Sequence, residues 1–241
     1  MKKILLLALV CYSMCSACKK DKGPTNIVSD IDGNTYKTIT IGTQTWMAEN
    51  LKTTRLNNGQ LISYIPNFFA WKDVNYNFPM MTYYAYDYSN FEKYGTIYNF
   101  SAVETGMLAP KGWHVATDED WEKLKNYLIS NGFNYDGSTV NDKIAKSLAA
   151  TSGWQADNTI GNIGMDQNSN NKSGFNGLAG GFMYINNVSG FLGLEVQTNW
   201  WASTGDSATK GMSWCIYNND WASYKQLSEK RNGLYVRCVK D

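Results

Sequence analysis

PKGWHVATDEDWEKL, residues 110–124, is the stretch that decides the fold. Thr117 offers a hydroxyl to the free amides of a helix N-terminus, and Asp118, Glu119 and Asp120 place negative charge at the positive end of the helix dipole. Trp121, Leu124 and Leu128 then recur at helical spacing, and Asn131-Gly132 supplies the stop. The spacing predicts one well-capped amphipathic helix with its apolar stripe on an aromatic core.

Working outward, Ile144 and Leu148 predict a second helix from about Asn141 to Ala150, ended by Ser152-Gly153. Upstream, IDGNTYKTITIGTQTWMAENL (31–51) carries a turn signal at Asp32-Gly33 and then a β-branched run with Ile39 and Ile41 on one face, which reads as a strand or hairpin. Asn58-Gly59 is a second turn signal. Beyond Gly153 the chain is rich in Gly, Asn and aromatics, with short β-like runs at 181–185, 213–217 and 234–239. Two helices, short strands and long loops predict an α+β fold.

At the other end, Lys2 and Lys3 precede an apolar run from Ile4 to Val10, with Ser16 and Ala17 before Cys18. The run is far shorter than the ~20 residues that span a bilayer, so residues 1–17 read as a removable export signal. Lys19 to Ser29 is short and polar and reads as a tether, with the folded domain from Asp30 to Asp241. Lys+Arg total 22 and Asp+Glu 21; removing residues 1–17 takes away Lys2 and Lys3 and turns +1 into −1. That balance gives no electrostatic footprint for nucleic acid or for a polybasic membrane surface.

Of the five cysteines, only Cys215 and Cys238 lie beyond Cys18. A pair in an oxidising compartment suggests a disulfide, which would stabilise the fold by about 3 kcal/mol on the chain-entropy argument; two buried free thiols are the alternative.

Cys15-Ser16-Ala17-Cys18 resembles the lipobox of bacterial lipoproteins, with Cys15 where leucine is usual. The resemblance implies lipidation of Cys18 and a membrane-anchored protein of the cell envelope, most simply the outer membrane, with the periplasmic or surface face open. Further along, DIDGNTYKTITIG (30–42), WMAENLKT (46–53), YGTIYNFSAV (94–103), PKGWHVATDEDWEKL, NKSGFNGLAGGFMY (171–184), NWWAST (199–204) and LYVRCVKD (234–241) resemble, in order, the Fibrobacter succinogenes major paralogous domain. That family is similar to the C-type-lectin-like architecture of formylglycine-generating enzymes. The implied fold is a small twisted antiparallel sheet, two helices and long irregular loops. The enzymes' activity is not implied, because it needs a closely spaced cysteine pair. Relatives commonly carry cysteine just before PKGWH; Ala109 stands there instead, which leaves Cys215 as the available partner for Cys238.

Catalytic chemistry finds little to work with. His114 is the only histidine, so any Ser-His-Asp or Cys-His site must be built on it, and its place before a capped helix reads as structural. Helix capping already accounts for Asp118, Glu119 and Asp120, although paired carboxylates about 5 to 9 Å apart are also what glycoside hydrolysis needs. Asp157, Asn158, Asp166 and Asn168 are hard oxygen ligands that suit calcium, yet their spacing fits no EF-hand and a solvated loop is the simpler reading. No cofactor is called for.

Aromatic residues make up 14% of the chain. Trp46, Trp113 and Trp121 read as core. Trp200, Trp201, Trp214, Tyr217, Asn218, Asn219, Trp221 and Tyr224 mix large rings with amides and are the candidate ligand surface. The expected function is a noncatalytic, lipid-anchored binding module for a glycan, peptide or protein partner. The alternatives are a hydrolase of envelope polymers using Asp206 or Asp220, and a fimbria-like structural component.

Overall fold

Thr117 adopts extended dihedrals; its hydroxyl accepts from the Asp120 amide while the Asp120 carboxylate accepts from the Thr117 amide, a reciprocal cap that starts the helix where the sequence places it. The computed structural model describes residues 26–73, 77–185 and 190–241. The export signal, Cys18 and most of the tether lie outside the described residues.

In chain order the strands are β1 (Ile27–Ser29), β2 (Thr35–Ile41), β3 (Gln44–Met47), β4 (Ser63–Tyr64), β5 (Met80–Thr82), β6 (Ile97–Tyr98) and β7 (Trp113–Val115). They continue with β8 (Gly180–Met183), β9 (Phe191–Leu194), β10 (Gln197–Gly205), β11 (Lys210–Tyr217), β12 (Tyr224–Glu229) and β13 (Cys238–Lys240). The helices are α1 (Phe68–Asp73), α2 (Tyr88–Tyr94), α3 (Phe100–Glu104), α4 (Asp118–Ser130) and α5 (Ala145–Leu148).

The chain is thus a mixed α and β protein, mostly sheet with few helices. Three expectations are corrected. Instead of one small sheet there are two five-stranded sheets, ordered β1-β2-β3-β13-β7 and β12-β11-β10-β8-β9, and a three-stranded sheet β4-β5-β6. The second helix is one turn: Asn141 sits at φ 60° and the Asn134 side-chain amide donates to the carbonyls of Val140 and Asn141, so the chain up to Ile144 is held as loop. The tether does not reach Ser29, since β1 pairs antiparallel with β2.

β13 inserts between β3 and β7, inside the first sheet, and Arg237, immediately before it, is fully buried. The guanidinium lies 4.4 Å over the Phe175 ring. It donates to Asn50 Oδ1 (2.7 Å) and to the carbonyls of Met47 (2.9 Å), Phe175 (2.9 Å) and Asn176 (3.0 Å). Among the described residues no carboxylate bonds it, and burial lowers its pKa to about 9. Around it packs the aromatic core: Trp46 against Trp121 at 5.0 Å, Trp121 stacked on Trp214 at 5.9 Å, and Phe175 edge-on to Trp200 at 5.6 Å.

Candidate functional site

Alternation along β10 and β11 sorts the predicted site residues onto two faces. Trp200 lies opposite Trp214, and both point into the core with Ile216. Gln197 lies opposite Tyr217 and Asn199 opposite Cys215, on the outer face. Trp200, Trp201 and Trp214 are 1%, 0% and 2% exposed, so their assignment to a ligand surface is corrected. Every one of these rings is bonded inward. Trp200 Nε1 donates to Asn50 Oδ1 (2.9 Å), Trp201 Nε1 to the Tyr98 carbonyl (2.8 Å) and Trp214 Nε1 to Asp118 Oδ1 (3.1 Å).

Asn218 is also buried, pinned by its main-chain amide to the Val196 carbonyl (2.7 Å) and by Nδ2 to the Gln155 carbonyl (3.3 Å). Four predicted residues remain at the surface. Asn219 and Trp221 flank Asp220 in the turn after β11, Tyr224 opens β12, and Tyr217 ends β11 with its ring 5.8 Å from that of Tyr224.

The outer face of the second sheet forms an open groove of about 420 Å³. Asn199 and Asn232 lie at its floor, 1% and 3% exposed. Asn199 Oδ1 accepts from Gln197 Nε2 (3.2 Å), and Asn232 Oδ1 accepts from the Ile185 amide (3.0 Å). Neither Nδ2 donates to any group among the described residues. One flank is apolar: Phe182 and Tyr184, ring centroids 6.1 Å apart, with Leu192. Tyr217 stands opposite, its phenol held well above the usual range by burial and then by Cys215, so it stays neutral. Lys210 and Glu229, paired across β11 and β12, bring opposite charges to the groove's end.

Glycine at one position makes this face possible. Gly181 has φ 67°, and a Cβ there would stand 2.3 Å from the Leu192 carbonyl oxygen, so β8 and β9 close only around glycine.

The reading of the sequence reached Tyr217 but missed Asn199, Asn232 and Phe182. An asparagine at the centre of a strand, as in NWW, is the signal that was available, because asparagine is depleted in strands unless a face of the sheet uses it.

The expected disulfide is corrected as well. Cys215 and Cys238 are free and buried, because Cys215 sits in the second sheet opposite Asn199 and Tyr224 while Cys238 sits in the first opposite Val115. Burial raises the Cys215 thiol to about 11.

The titratable clusters are engaged locally. His114 Nδ1 is 2.8 Å from Asp241 Oδ1 and Nε2 is 3.0 Å from Asp120 Oδ2. Burial opposes its protonation, yet the two carboxylates outweigh burial and raise its pKa. Asp118 bonds Lys225 (2.6 Å) as well as Trp214. Asp220 Oδ1 accepts from the amides of Trp221 (2.7 Å) and Ala222 (3.0 Å), and its Oδ2 from the Tyr224 hydroxyl (2.6 Å). Asp206 follows β10 and Asp220 follows β11, so the length of β11 separates them, roughly 25 Å at ~3.4 Å per residue. The structure does not bring these two carboxylates together.

In the asparagine-rich loop, Asp157 Oδ1 accepts from the Thr159 amide (2.7 Å) and Asn162 Nδ2 (2.9 Å). Among the described residues no three His, Cys, Asp or Glu side chains converge as metal ligands. A cation does organise the loop: buried Lys146 reaches the carbonyls of Asn162, Met165 and Asp166, and burial lowers its pKa.

A comparison with protein families matches residues 39–240 to the Fibrobacter succinogenes major domain. Comparisons with curated proteins and with solved structures find no significant match.

Proposed function

The chain belongs to the Fibrobacter succinogenes major domain family, and from the groove on its second sheet we propose that it is a noncatalytic binding module of the cell envelope. In this reading a C-type-lectin-like domain takes a glycan, peptide or protein partner and is held to the outer membrane by lipid on Cys18. One observation carries it: an open groove of about 420 Å³ whose floor is two buried asparagines with unused amide donors. Buried polar groups ordinarily spend all their hydrogen bonds on the protein, so fixed spare donors in a concavity point to a ligand.

The groove suits recognition better than turnover. Its two charged residues, Lys210 and Glu229, oppose each other, and its other polar groups are neutral amides and hydroxyls. Among the described residues no helix is long and apolar enough to cross a membrane, so attachment in this reading rests on Cys18.

Screening the full chain against glycans, peptides and envelope fragments tests the proposal. A ligand is expected whose affinity falls at least about tenfold in Tyr217→Ala, the loss of one stacked ring and its hydroxyl. A ligand bound equally well by Tyr217→Ala and by Gln197→Ala places recognition elsewhere. Palmitate labelling that survives Cys18→Ala overturns the anchor.

A further inference from the structure

We infer that the groove selects an uncharged, N-acetylated sugar chain, reading acetamido groups through Asn199 and Asn232. The inference rests on the groove being the binding site proposed above, and it names the ligand class.

The floor fixes what the ligand must offer. Asn199 Oδ1 is spent on Gln197 Nε2 (3.2 Å) and Asn232 Oδ1 on the Ile185 amide (3.0 Å). The Ile185 main-chain amide can only donate, so it assigns Asn232 with Nδ2 left over. Asn199 and Gln197 bond amide to amide, and that pair leaves one NH2 and one carbonyl to the groove whichever way round it stands. Both asparagines are nearly fully buried, so the groups are held rather than mobile. Two fixed donors ask for two acceptors, and a carbonyl oxygen is a stronger and more directional acceptor than a sugar hydroxyl. Desolvating those donors against a ligand without acceptors is costly, so the floor rejects as well as selects.

Peptides also carry carbonyls, but their usual route onto a sheet does not cross this floor. A peptide adds as a strand by using a free edge. The free edges are β12 and β9, whereas Asn199 lies on β10, inside the sheet between β8 and β11, so a strand added at either edge does not lie over it.

The flanks complete the match. An acetamido group is a carbonyl with a methyl attached, and Phe182 and Leu192 line the groove with apolar surface beside the asparagine floor. Its N–H needs an acceptor, and Gln197 Oε1 accepts from no group among the described residues. Tyr217 offers a neutral ring to a pyranose face. Lys210 and Glu229 are opposite in sign, so neither a polyanion nor a polycation gains from the groove as a whole.

The test is titration calorimetry of the full chain with three tetrasaccharides of one β-linked shape: the N-acetylglucosamine tetramer, its fully deacetylated form, and cellotetraose. The acetylated tetramer is expected to bind at least about tenfold tighter than either other sugar. Asn199→Asp and Asn232→Asp keep the Oδ1 acceptor and replace the donor, and each is expected to weaken the acetylated tetramer by about tenfold or more. Leu192→Lys at the exposed rim, which disturbs no packed core, is expected to weaken it too and stands in should the floor variants melt early.

Equal binding of cellotetraose overturns the acetamido assignment while leaving the groove as the site, provided Tyr217→Ala still weakens binding by about tenfold or more. Acetylated binding that survives both Asn199→Asp and Leu192→Lys overturns the site itself. Binding of peptides and of none of the three sugars overturns the ligand class.

Discussion

Trp214 and Trp221 belong to one short stretch, yet Trp214 is 2% exposed and Trp221 is 42% exposed. Trp214 sits inside β11 with its ring stacked on Trp121 and its Nε1 on Asp118. Trp221 sits in the turn before β12, beside Tyr135 at 6.3 Å. The same side chain is a structural beam in one place and a surface feature in the other, and what separates them is a place inside a strand against a place in a turn, not composition. The face of β11 that carries Trp214 builds the core; the face that carries Tyr217 opens on the groove. Parity does not act alone: Trp201 shares the parity of Gln197 and Asn199, yet it is buried in a second core cluster with Tyr98 and Phe100.

The largest test of that contrast removes a ring from the core face. Trp200→Ala deletes a buried ring packed on Phe175 and Trp121 and strips Asn50 Oδ1 of one donor, and is expected to cost about 3 to 5 kcal/mol in chemical denaturation. Trp221→Ala is expected to stay within about 0.5 kcal/mol. Equal losses in the two variants break the distinction.

Next is Arg237, the cation that ties the first sheet to the core rings. Arg237→Met keeps much of the volume but takes the guanidinium donors from three main-chain carbonyls and leaves Asn50 Oδ1 with Trp200 Nε1 alone. A loss of about 3 kcal/mol or more is expected, with Lys no better because it lacks the planar fork. A variant as stable as the parent on urea unfolding shows that the fork organises nothing.

A smaller effect sharpens the comparison by acting on α4, which backs only the core face. Thr117→Ala loses the hydroxyl that receives the Asp120 amide and is expected to cost about 1 kcal/mol. Tyr217, on the opposite face of β11, is expected to keep its ligand affinity; a parallel fall in affinity shows the two faces to be coupled.

How legible each part was follows from how local it is. The helix α4 was readable because cap, dipole charges and apolar stripe all lie within one stretch, and the β2–β3 hairpin because its turn and β-branched run are adjacent. The helix predicted at 141–150 shrank because the Asn134 side chain, reaching from outside that window, holds its first residues as loop. Trp200 and Trp214 were misassigned because parity along β10 and β11 has meaning only once their pairing and register are known. Asn199 and Asn232 meet from a strand and a distant turn, and no spacing in the chain announces that. Arg237 shows the same limit: LYVRCVKD gives its position, but a guanidinium satisfied by carbonyls and a ring is visible only in three dimensions.

The smallest expected effect concerns His114, which clasps Asp241 to Asp120 at the start of α4. Its pKa is raised above the ordinary 6.5 because Asp241 and Asp120 outweigh the opposing burial. A raised folded-state pKa means the clasp contributes fully below 6.5 and loses that contribution as pH rises through the folded value. Asp120 works in the other direction. Burial raises its pKa, but bonds from Thr117 and His114 prevail and lower it below 3.8, so its contribution is present above 3.8 and fades as pH falls through the folded value. Stability is therefore expected to decline on both sides of the interval between them. His114→Asn removes the alkaline arm, flattening the fall above 6.5, and reduces the acid limb to the part that rests on the Thr117 bonds. Because the imidazole is partly exposed, the difference is expected to stay under about 1 kcal/mol and to shrink with added salt. Urea midpoints measured across pH for parent and variant decide it: parallel curves above 6.5 mean that the clasp holds nothing.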